Sequence, residues 1–291
     1  MTLQGKVAVV TGSSRGAGRG IALALGSAGA TVYVTGRTVR GGPKPVDGAS
    51  GTVDDTADEV IARGGRGIPV KVDLTSEEEV AELFARVRRE QGRLDLLANA
   101  VWGGNEHVDV TAFTRPFWEH RPGEQWRQMM VAGPYAYLLA SREAARLMVE
   151  RGGGGLIVHV TDGVMQDGNQ PYGGHLYFDL AHAAVNRLIL GMDRDLRPRG
   201  VAVVAVMPGF MRTERVRMHL TTEELKKQTR YDLSETVEYL GRGVAALAAD
   251  PKVIERSGTI TFAADLARAY GFTDVDGRQP PRFDPEAPVE R

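Results

Sequence analysis

Three side chains in one region of the chain are of types that can carry proton-transfer chemistry. They are Asp162, ending the run Leu156-Ile-Val-His-Val-Thr-Asp162, and the pair Tyr177 and His182 in Tyr177-Phe-Asp-Leu-Ala-His182. An imidazole titrates near neutral pH and serves as acid or base without a large perturbation. A carboxyl group acts as an acid there only when burial raises its pKa; ionised, it stabilises a neighbouring cation such as an iminium. Helix geometry limits how these groups combine. At about 100° per residue, positions 177 and 182 point roughly 140° apart on one regular helix. Tyr177 and His182 therefore converge only if Tyr177 lies in the preceding loop or an unwound first turn, which Gly173-Gly174 just upstream permits. Each residue also has a structural use: Asp162 as a cap on the following turn, His182 as a helix residue lining a pocket, Tyr177 as packing. Tyr172, His175 and His159 are weaker candidates, and His159 falls mid-strand, where a hydrogen-bonded buried histidine is the commoner case.

The elements that must position these groups alternate along the chain. Apolar strand candidates recur at 7–11, 31–35, 68–72, 94–98, 156–160, 201–206 and 259–262, with helix-like segments between them. That rhythm predicts an α/β fold: one doubly wound parallel sheet with helices on both faces and ligands outside the carboxyl ends of the strands. At its start, Val7-Ala-Val-Val10 runs into Thr11-Gly-Ser-Ser-Arg-Gly-Ala-Gly18 and then the helix-forming Ile21-Ala-Leu-Ala-Leu25. This is either a site for a dinucleotide pyrophosphate, in which Gly12, Gly16 and Gly18 remove side chains where a phosphate approaches backbone N–H groups and Ser13 and Ser14 add hydroxyl donors, or an ordinary Gly-rich strand-to-helix turn. Two segments interrupt the rhythm. Residues 38–53, with several glycines and prolines, are expected to form a loop near the adenosine end. Residues 102–125 carry Trp102, His107, Phe113, Phe117, Trp118 and His120, and form either a substrate lid at the active-site mouth or a layer packed over the core. Gly133-Pro134 within the apolar fourth helix predicts a kink, since Pro134 cannot donate to the Met130 carbonyl.

The motifs taken together resemble the short-chain dehydrogenase/reductase family over nearly the whole chain. Thr11 to Gly18 matches the TGxxxGxG loop, with Ala17 in place of the usual Ile. Val72-Asp73-Leu74 matches the acidic motif whose Asp generally contacts the adenine. Leu97-Ala-Asn-Ala-Val101 is similar to the NNAG segment, keeping Asn99 and replacing the second Asn by Ala100; Val206-Met-Pro-Gly-Phe-Met-Arg-Thr213 matches the PG-x3-T segment at the nicotinamide end. The likeness narrows to the dehydrogenase/reductase member 1-like subgroup through Gly36-Arg37-Thr38, Gly51 to Thr56, Pro116-Phe-Trp118 and Asp265 to Gly277. It implies a single Rossmann-type domain over residues 1–291 with a seven-stranded sheet, a homodimer or homotetramer, and a covering or subunit-contact role for 270–291. It further implies cofactor contacts at Gly12, Ser14, Arg15, Gly16, Ala17, Gly18, Arg37, Thr38, Asp73, Leu74, Asn99, Ala100, Val101, His182, Pro208, Gly209 and Thr213. Substrate contacts are implied at Trp102, Phe117, Trp118, Tyr172 and Phe210.

The proton-transfer residues depart from that family's pattern. Typical members use a Tyr as proton donor, a Lys that holds the ribose and lowers the Tyr pKa, a Ser on the substrate oxygen and an Asn that orders a water relay. Aligning Ala183-Ala-Val-Asn-Arg-Leu188 with the stretch after the Lys puts His182 at the Lys position and Phe178 at the Tyr position. No register recovers Tyr-x3-Lys. Asp162 stands where the Ser is expected, and the helix Asn falls on Gly133.

Cofactor preference is read at the end of the second strand, where NAD enzymes usually place an acid for the ribose 2′-hydroxyl. Here that position falls near Gly36, so nothing repels a 2′-phosphate, and Arg15 and Arg37 offer charge-assisted bonds to it, with Arg40 a further candidate; NADP(H) is favoured over NAD(H). A formal net charge of −1 gives no electrostatic case for nucleic acid or an anionic membrane, and the absence of Cys excludes disulfides, thiolate nucleophiles and Cys-ligated zinc. No basic-then-apolar leader or membrane-length apolar run occurs, so a cytoplasmic protein acting on a small molecule is expected. Three functions remain open: an NADPH-dependent reductase of a carbonyl or imine with an atypical proton site; a non-redox acid–base enzyme such as a cyclase, dehydratase or isomerase; and a non-catalytic NADP(H)-binding protein.

Overall fold

The computed structural model describes residues 2–104, 115–152, 154–162, 175–229 and 231–283. Seven runs form the strands, most of them rich in β-branched residues: β1 (Val7–Thr11), β2 (Thr31–Gly36), β3 (Arg66–Lys71), β4 (Leu96–Asn99, Leu-Leu-Ala-Asn), β5 (Gly155–Val160), β6 (Val201–Met207) and β7 (Ile260–Phe262). They make one sheet in the order β3-β2-β1-β4-β5-β6-β7, every pairing parallel. The expected doubly wound α/β sheet is therefore present. Its strand order reverses between β1 and β4, which opens a crevice at the carboxyl ends of those strands. Two strands shift at their start from the apolar pattern: β3 begins at Arg66, because Arg66 and Gly67 pair with Thr31 and Val32 along the sheet edge despite having no apolar side chain, and β4 begins at Leu96, where its pairing with Ala8 starts.

Helices α1 (Gly16–Ser27), α2 (Val53–Ala62), α3 (Glu77–Gln91), α4 (Pro122–Gln125), α5 (Ala136–Glu150), α6 (Leu176–Leu196), α7 (Glu214–His219), α8 (Glu223–Gln228), α9 (Val237–Ala249) and α10 (Ala263–Tyr270) complete the chain. Two large apolar cores result, with a small third cluster of Met129, Tyr177 and Ala181, among the described residues. Val10, Ile21, Leu25, Leu240 and Leu247 belong to the core under α1 and α9; Val9, Val87, Leu97, Ala140 and Ile189 belong to the one under α3, α5 and α6. Burial on both faces is what a parallel sheet requires, and it explains the continuous apolar runs of β1 and β6.

The kink expected at Gly133-Pro134 appears as a π-helical segment, Trp126–Tyr135, with non-helical backbone at Ala132 (φ −87°, ψ 31°) and Gly133 (φ −142°, ψ −111°). The Ala132 carbonyl, displaced from the helical ladder, accepts the Gly103 N–H at 3.0 Å and so ties the segment to the chain leaving β4. Residues 271–283 cover α9: the Tyr239 hydroxyl donates to the Pro280 carbonyl at 3.3 Å, and the buried Asp274 accepts the Thr236 N–H at 2.7 Å. No helix among the described residues is long and apolar enough to cross a membrane, and no cluster of three metal-ligating side chains occurs among them.

Candidate active site

Strand β1 ends at Thr11, whose hydroxyl donates to Asn99 Oδ1 (3.2 Å) and accepts the Ala100 N–H (3.1 Å), locking the β1 and β4 ends together. Behind them, Asn99 Nδ2 donates to Ser141 Oγ at 3.0 Å, and Ser141 Oγ lies 3.2 Å from His159 Nε2. Asn99 and His159 are fully buried supports of the cleft floor rather than part of its wall, and burial pushes the His159 imidazole down to about 3. In front, the backbone approaches itself closely. A Cβ on Gly12 (φ +66°) would fall 2.5 Å from Val101 Cα, and one on Gly18 would fall 2.4 Å from the Gly12 carbonyl oxygen, so neither position admits a side chain. Ser13 is turned inward, its hydroxyl donating to Val10 O (2.8 Å) and accepting the Thr35 N–H (2.9 Å), which corrects the expectation that it faces a phosphate.

Along these strand ends runs a cleft of about 350 Å³. Its β2–β3 end is lined by Arg15, Arg37, Thr38, Asp73 and Leu74; its middle by Gly12, Ser14, Gly16, Ala17, Ala100 and Val101; its β5–β6 end by Trp102, Asp162, His182, Pro208 and Thr213. The expected cofactor residues not lining it are Gly18, used in the close approach just described, Asn99 in the floor, and Gly209, which packs on the Glu235 carboxyl.

At the β2–β3 end, Arg15 is held by its own chain. Nη1 pairs with Asp47 Oδ1 at 3.2 Å, Nη2 donates to Thr38 Oγ1 (3.0 Å) and Gly51 O (3.1 Å), and the buried Nε has no partner among the described residues. Arg37 is exposed at the rim. Arg40 is not part of the wall: its guanidinium is engaged by Asp55 (2.7 Å) and Asp58 (2.6 Å) on α2. In the middle, Glu214 reaches across from α7, and its carboxylate accepts the Gly16 N–H at 2.8 Å. A carboxylate is thus seated at the N-terminus of α1, where partial positive charge favours an anion. Asp47 and Glu214 went unread in the sequence. Asp47 lies in a Gly/Pro-rich loop whose return path is not a local property, whereas Glu214 directly follows the Thr213 cap of α7 and carried a positional signal.

At the β5–β6 end, His175 caps α6, its Nδ1 accepting the Phe178 N–H at 3.3 Å. Tyr177 therefore lies in a regular first turn and does not converge with His182; it is 9% exposed and packs with Met129 and Ala181 outside the cleft. Phe178, one turn before His182, does line the cleft, its ring 4.1 Å from the imidazole. The Trp102 ring lies 4.7 Å from His182 and edge-on to Phe178 at 5.6 Å, and it covers Gly133 so closely that a Cβ there would be 3.1 Å from the indole.

His182 Nδ1 is 2.9 Å from the Phe178 carbonyl oxygen; a carbonyl only accepts, so Nδ1 carries the proton and Nε2 is the acceptor nitrogen. Burial lowers the His182 pKa, with the Asp162 charge and the Phe178 carbonyl opposing. The ring is neutral at pH 7. Beside it, Thr161 Oγ1 donates to Asn186 Oδ1 at 2.6 Å. Tyr137, the second residue of α5 and without a sequence signal among its apolar neighbours, lines the cleft with its hydroxyl donating to Val160 O (3.0 Å), and burial raises its pKa.

The remaining expected residues lie elsewhere. Phe117 and Trp118 are 52% and 71% exposed and stack edge-to-face on each other rather than lining the described cleft. Phe210 turns toward Phe283 (6.1 Å) in the covering segment. Tyr172, Gly173-Gly174, His107 and Phe113 fall outside the described residues.

A family model described as short chain dehydrogenase matches residues 6–224. Dehydrogenase/reductase SDR family member 1 of Homo sapiens is 38% identical over 285 residues, 95% of this chain and 85% of that protein. NADPH-dependent aldehyde reductase 2, chloroplastic, of Arabidopsis thaliana is 30% identical over 229 residues, 78% of this chain and 80% of its own. Among solved structures, a short chain dehydrogenase from Mycobacterium thermoresistibile shares the fold with a TM-score of 0.80, covering 99% of this chain and 97% of that one at 19% identity. The chain belongs to the short-chain dehydrogenase/reductase family, whose members are NAD(P)(H)-binding dehydrogenases and reductases.

Proposed function

We propose that this protein is an NADPH-dependent reductase of a carbonyl or imine group in a small metabolite, with its proton-transfer site rebuilt around Asp162 and His182. The observation that carries this reading is the make-up of the β5–β6 end of the cleft: Asp162 and His182 line it, Tyr177 is packed outside it, and the Tyr137 hydroxyl is committed to a backbone carbonyl. The cleft also fits a nicotinamide dinucleotide. Gly12 and Gly16 line its middle beside the N-terminus of α1, where backbone without a side chain suits a pyrophosphate, and Arg15 lies in the wall at its β2–β3 end. Gly36, ending β2, presents no acid against a 2′-phosphate, and one relative carries NADPH dependence in its name.

A reduced nicotinamide held in this cleft would supply a hydride for an electrophilic carbon. His182, held neutral with Nδ1 on the Phe178 carbonyl, offers Nε2 as an acceptor for a hydroxyl of ribose or substrate, where a lysine offers only donors. Trp102 and Phe178 fix the ring plane and exclude water from one side. An ionised Asp162 favours a cationic substrate such as an iminium; a protonated one donates to a developing alkoxide. Homo-oligomerisation and a cytoplasmic location are part of the proposal, the former supported by exposed Leu138 on α5 and Leu180 and Leu190 on α6.

The test is reduction of a panel of ketones and cyclic imines by variants. Asp162→Asn is expected to lower turnover by about 100-fold or more. Tyr177→Phe, changing a residue outside the cleft, is expected to stay within about twofold. Near-normal turnover in the first variant removes Asp162 from the mechanism, and product formed without cofactor assigns the protein to non-redox acid–base chemistry.

A further inference from the structure

We propose that Asp47 sets the preference between nicotinamide dinucleotides, as an internal counter-ion that occupies Arg15 and competes with a cofactor 2′-phosphate for it. This rests on the reading that the cleft holds such a cofactor with its adenosine at the β2–β3 end. The chain leaves β2 at Gly36, loops out and returns, the Val53 N–H bonding back to the Thr38 carbonyl at 2.9 Å. Within the loop Gly48 N–H closes a turn on Pro45 O (3.0 Å), and Asp47 Oδ1 accepts the Ala49 N–H at 3.1 Å. The same Oδ1 takes Arg15 Nη1 at 3.2 Å, with side chains only 12% and 20% exposed for Asp47 and Arg15. An acid is therefore present in the wall near the end of β2, although none stands on the strand itself.

Asp47 is the one charged partner of Arg15 among the described residues; Thr38 Oγ1 and Gly51 O are neutral acceptors. A phosphomonoester carries roughly −1.5 to −2 charge near neutral pH and prefers a guanidinium. To reach Arg15 it must replace the Asp47 bond or sit beside that carboxylate, so part of its attraction is cancelled by exchange or repulsion. A 2′-hydroxyl brings no charge and requires no exchange. Discrimination therefore falls on the phosphorylated cofactor alone. Glu214 does not add to it, because the Gly16 N–H it holds faces the pyrophosphate position that both cofactors share.

The experiment is equilibrium titration of the purified full chain with NADPH and with NADH, following quenching of protein fluorescence, for wild type, Asp47→Asn and Asp47→Ser. Asn and Ser both retain a short acceptor for the Ala49 N–H and remove the charge. The NADPH:NADH affinity ratio is expected to rise about tenfold in both variants through tighter NADPH binding, and the gain is expected to shrink at high salt. An unchanged ratio in the folded variants, or a ratio that rises only because NADH weakens, overturns the proposal; the latter makes Asp47 an acceptor for the 2′-hydroxyl. The wild-type ratio reports separately on cofactor preference. A wild type that prefers NADH contradicts the NADPH reading, while a variant-induced gain for NADPH still supports the role of Asp47.

Discussion

Glu235 is 1% exposed, its carboxyl against Gly209 with neither oxygen in a well-formed hydrogen bond among the described residues, and burial pushes its pKa from 4.5 up to about 8. The Gly209 N–H and Arg212 pull the other way, and Asp274 adds to the rise. Between those two pH values the folded chain keeps a proton that the unfolded chain releases. Folding stability therefore falls as pH rises across that window, by up to about 1.4 kcal/mol per pH unit from this group. Glu235→Gln is expected to flatten that slope and to be the more stable form above pH 8, read from urea unfolding at several pH values; an unaltered slope contradicts the assignment. Such a residue is illegible in sequence, because a Glu between Ser234 and Thr236 looks like a solvated loop acid. Asp162 and His182, by contrast, were legible, since a strand end and one helix register place them at the same cleft. The convergence of Tyr177 was the open point, and it is decided by where α6 begins: with His175 as the cap, Tyr177 is inside a regular turn.

At the scale of elements, α1 and α9 cross at glycines that admit no side chain. A Cβ on Gly241 would lie 2.2 Å from the Gly20 carbonyl oxygen, and one on Gly20 would lie 2.0 Å from the Val237 carbonyl oxygen. Gly241→Ala is expected to separate the helices and cost about 2 kcal/mol or more, seen as a lower denaturation midpoint at unchanged m value; a midpoint equal to wild type contradicts this packing account. Strands and helices were legible because buried parallel strands read as continuous apolar runs and amphipathic helices as periodic ones. The Gly133-Pro134 break was legible for the same local reason. The fold of residues 38–52 onto Arg15 was not, because two of its three hydrogen-bond contacts, those of Asp47 and Gly51 to Arg15, join residues more than thirty positions apart.

Across the whole molecule, one sheet places the glycine loop, the β4 end and the β5–α6 side chains along a single cleft, with Trp102, Asp162 and His182 at its β5–β6 end. Family membership follows from the chain as a whole; the reductase assignment depends on what this cleft does with a hydride. The measurement that tests it most directly is transfer of label from 4-deuterated NADPH, prepared with deuterium on either face, into the products of a panel of ketones and cyclic imines. Deuterium is expected on carbon from one face only, with transfer abolished or strongly slowed in Asp162→Asn. Product that carries no deuterium from either face, formed equally well without NADPH, contradicts it.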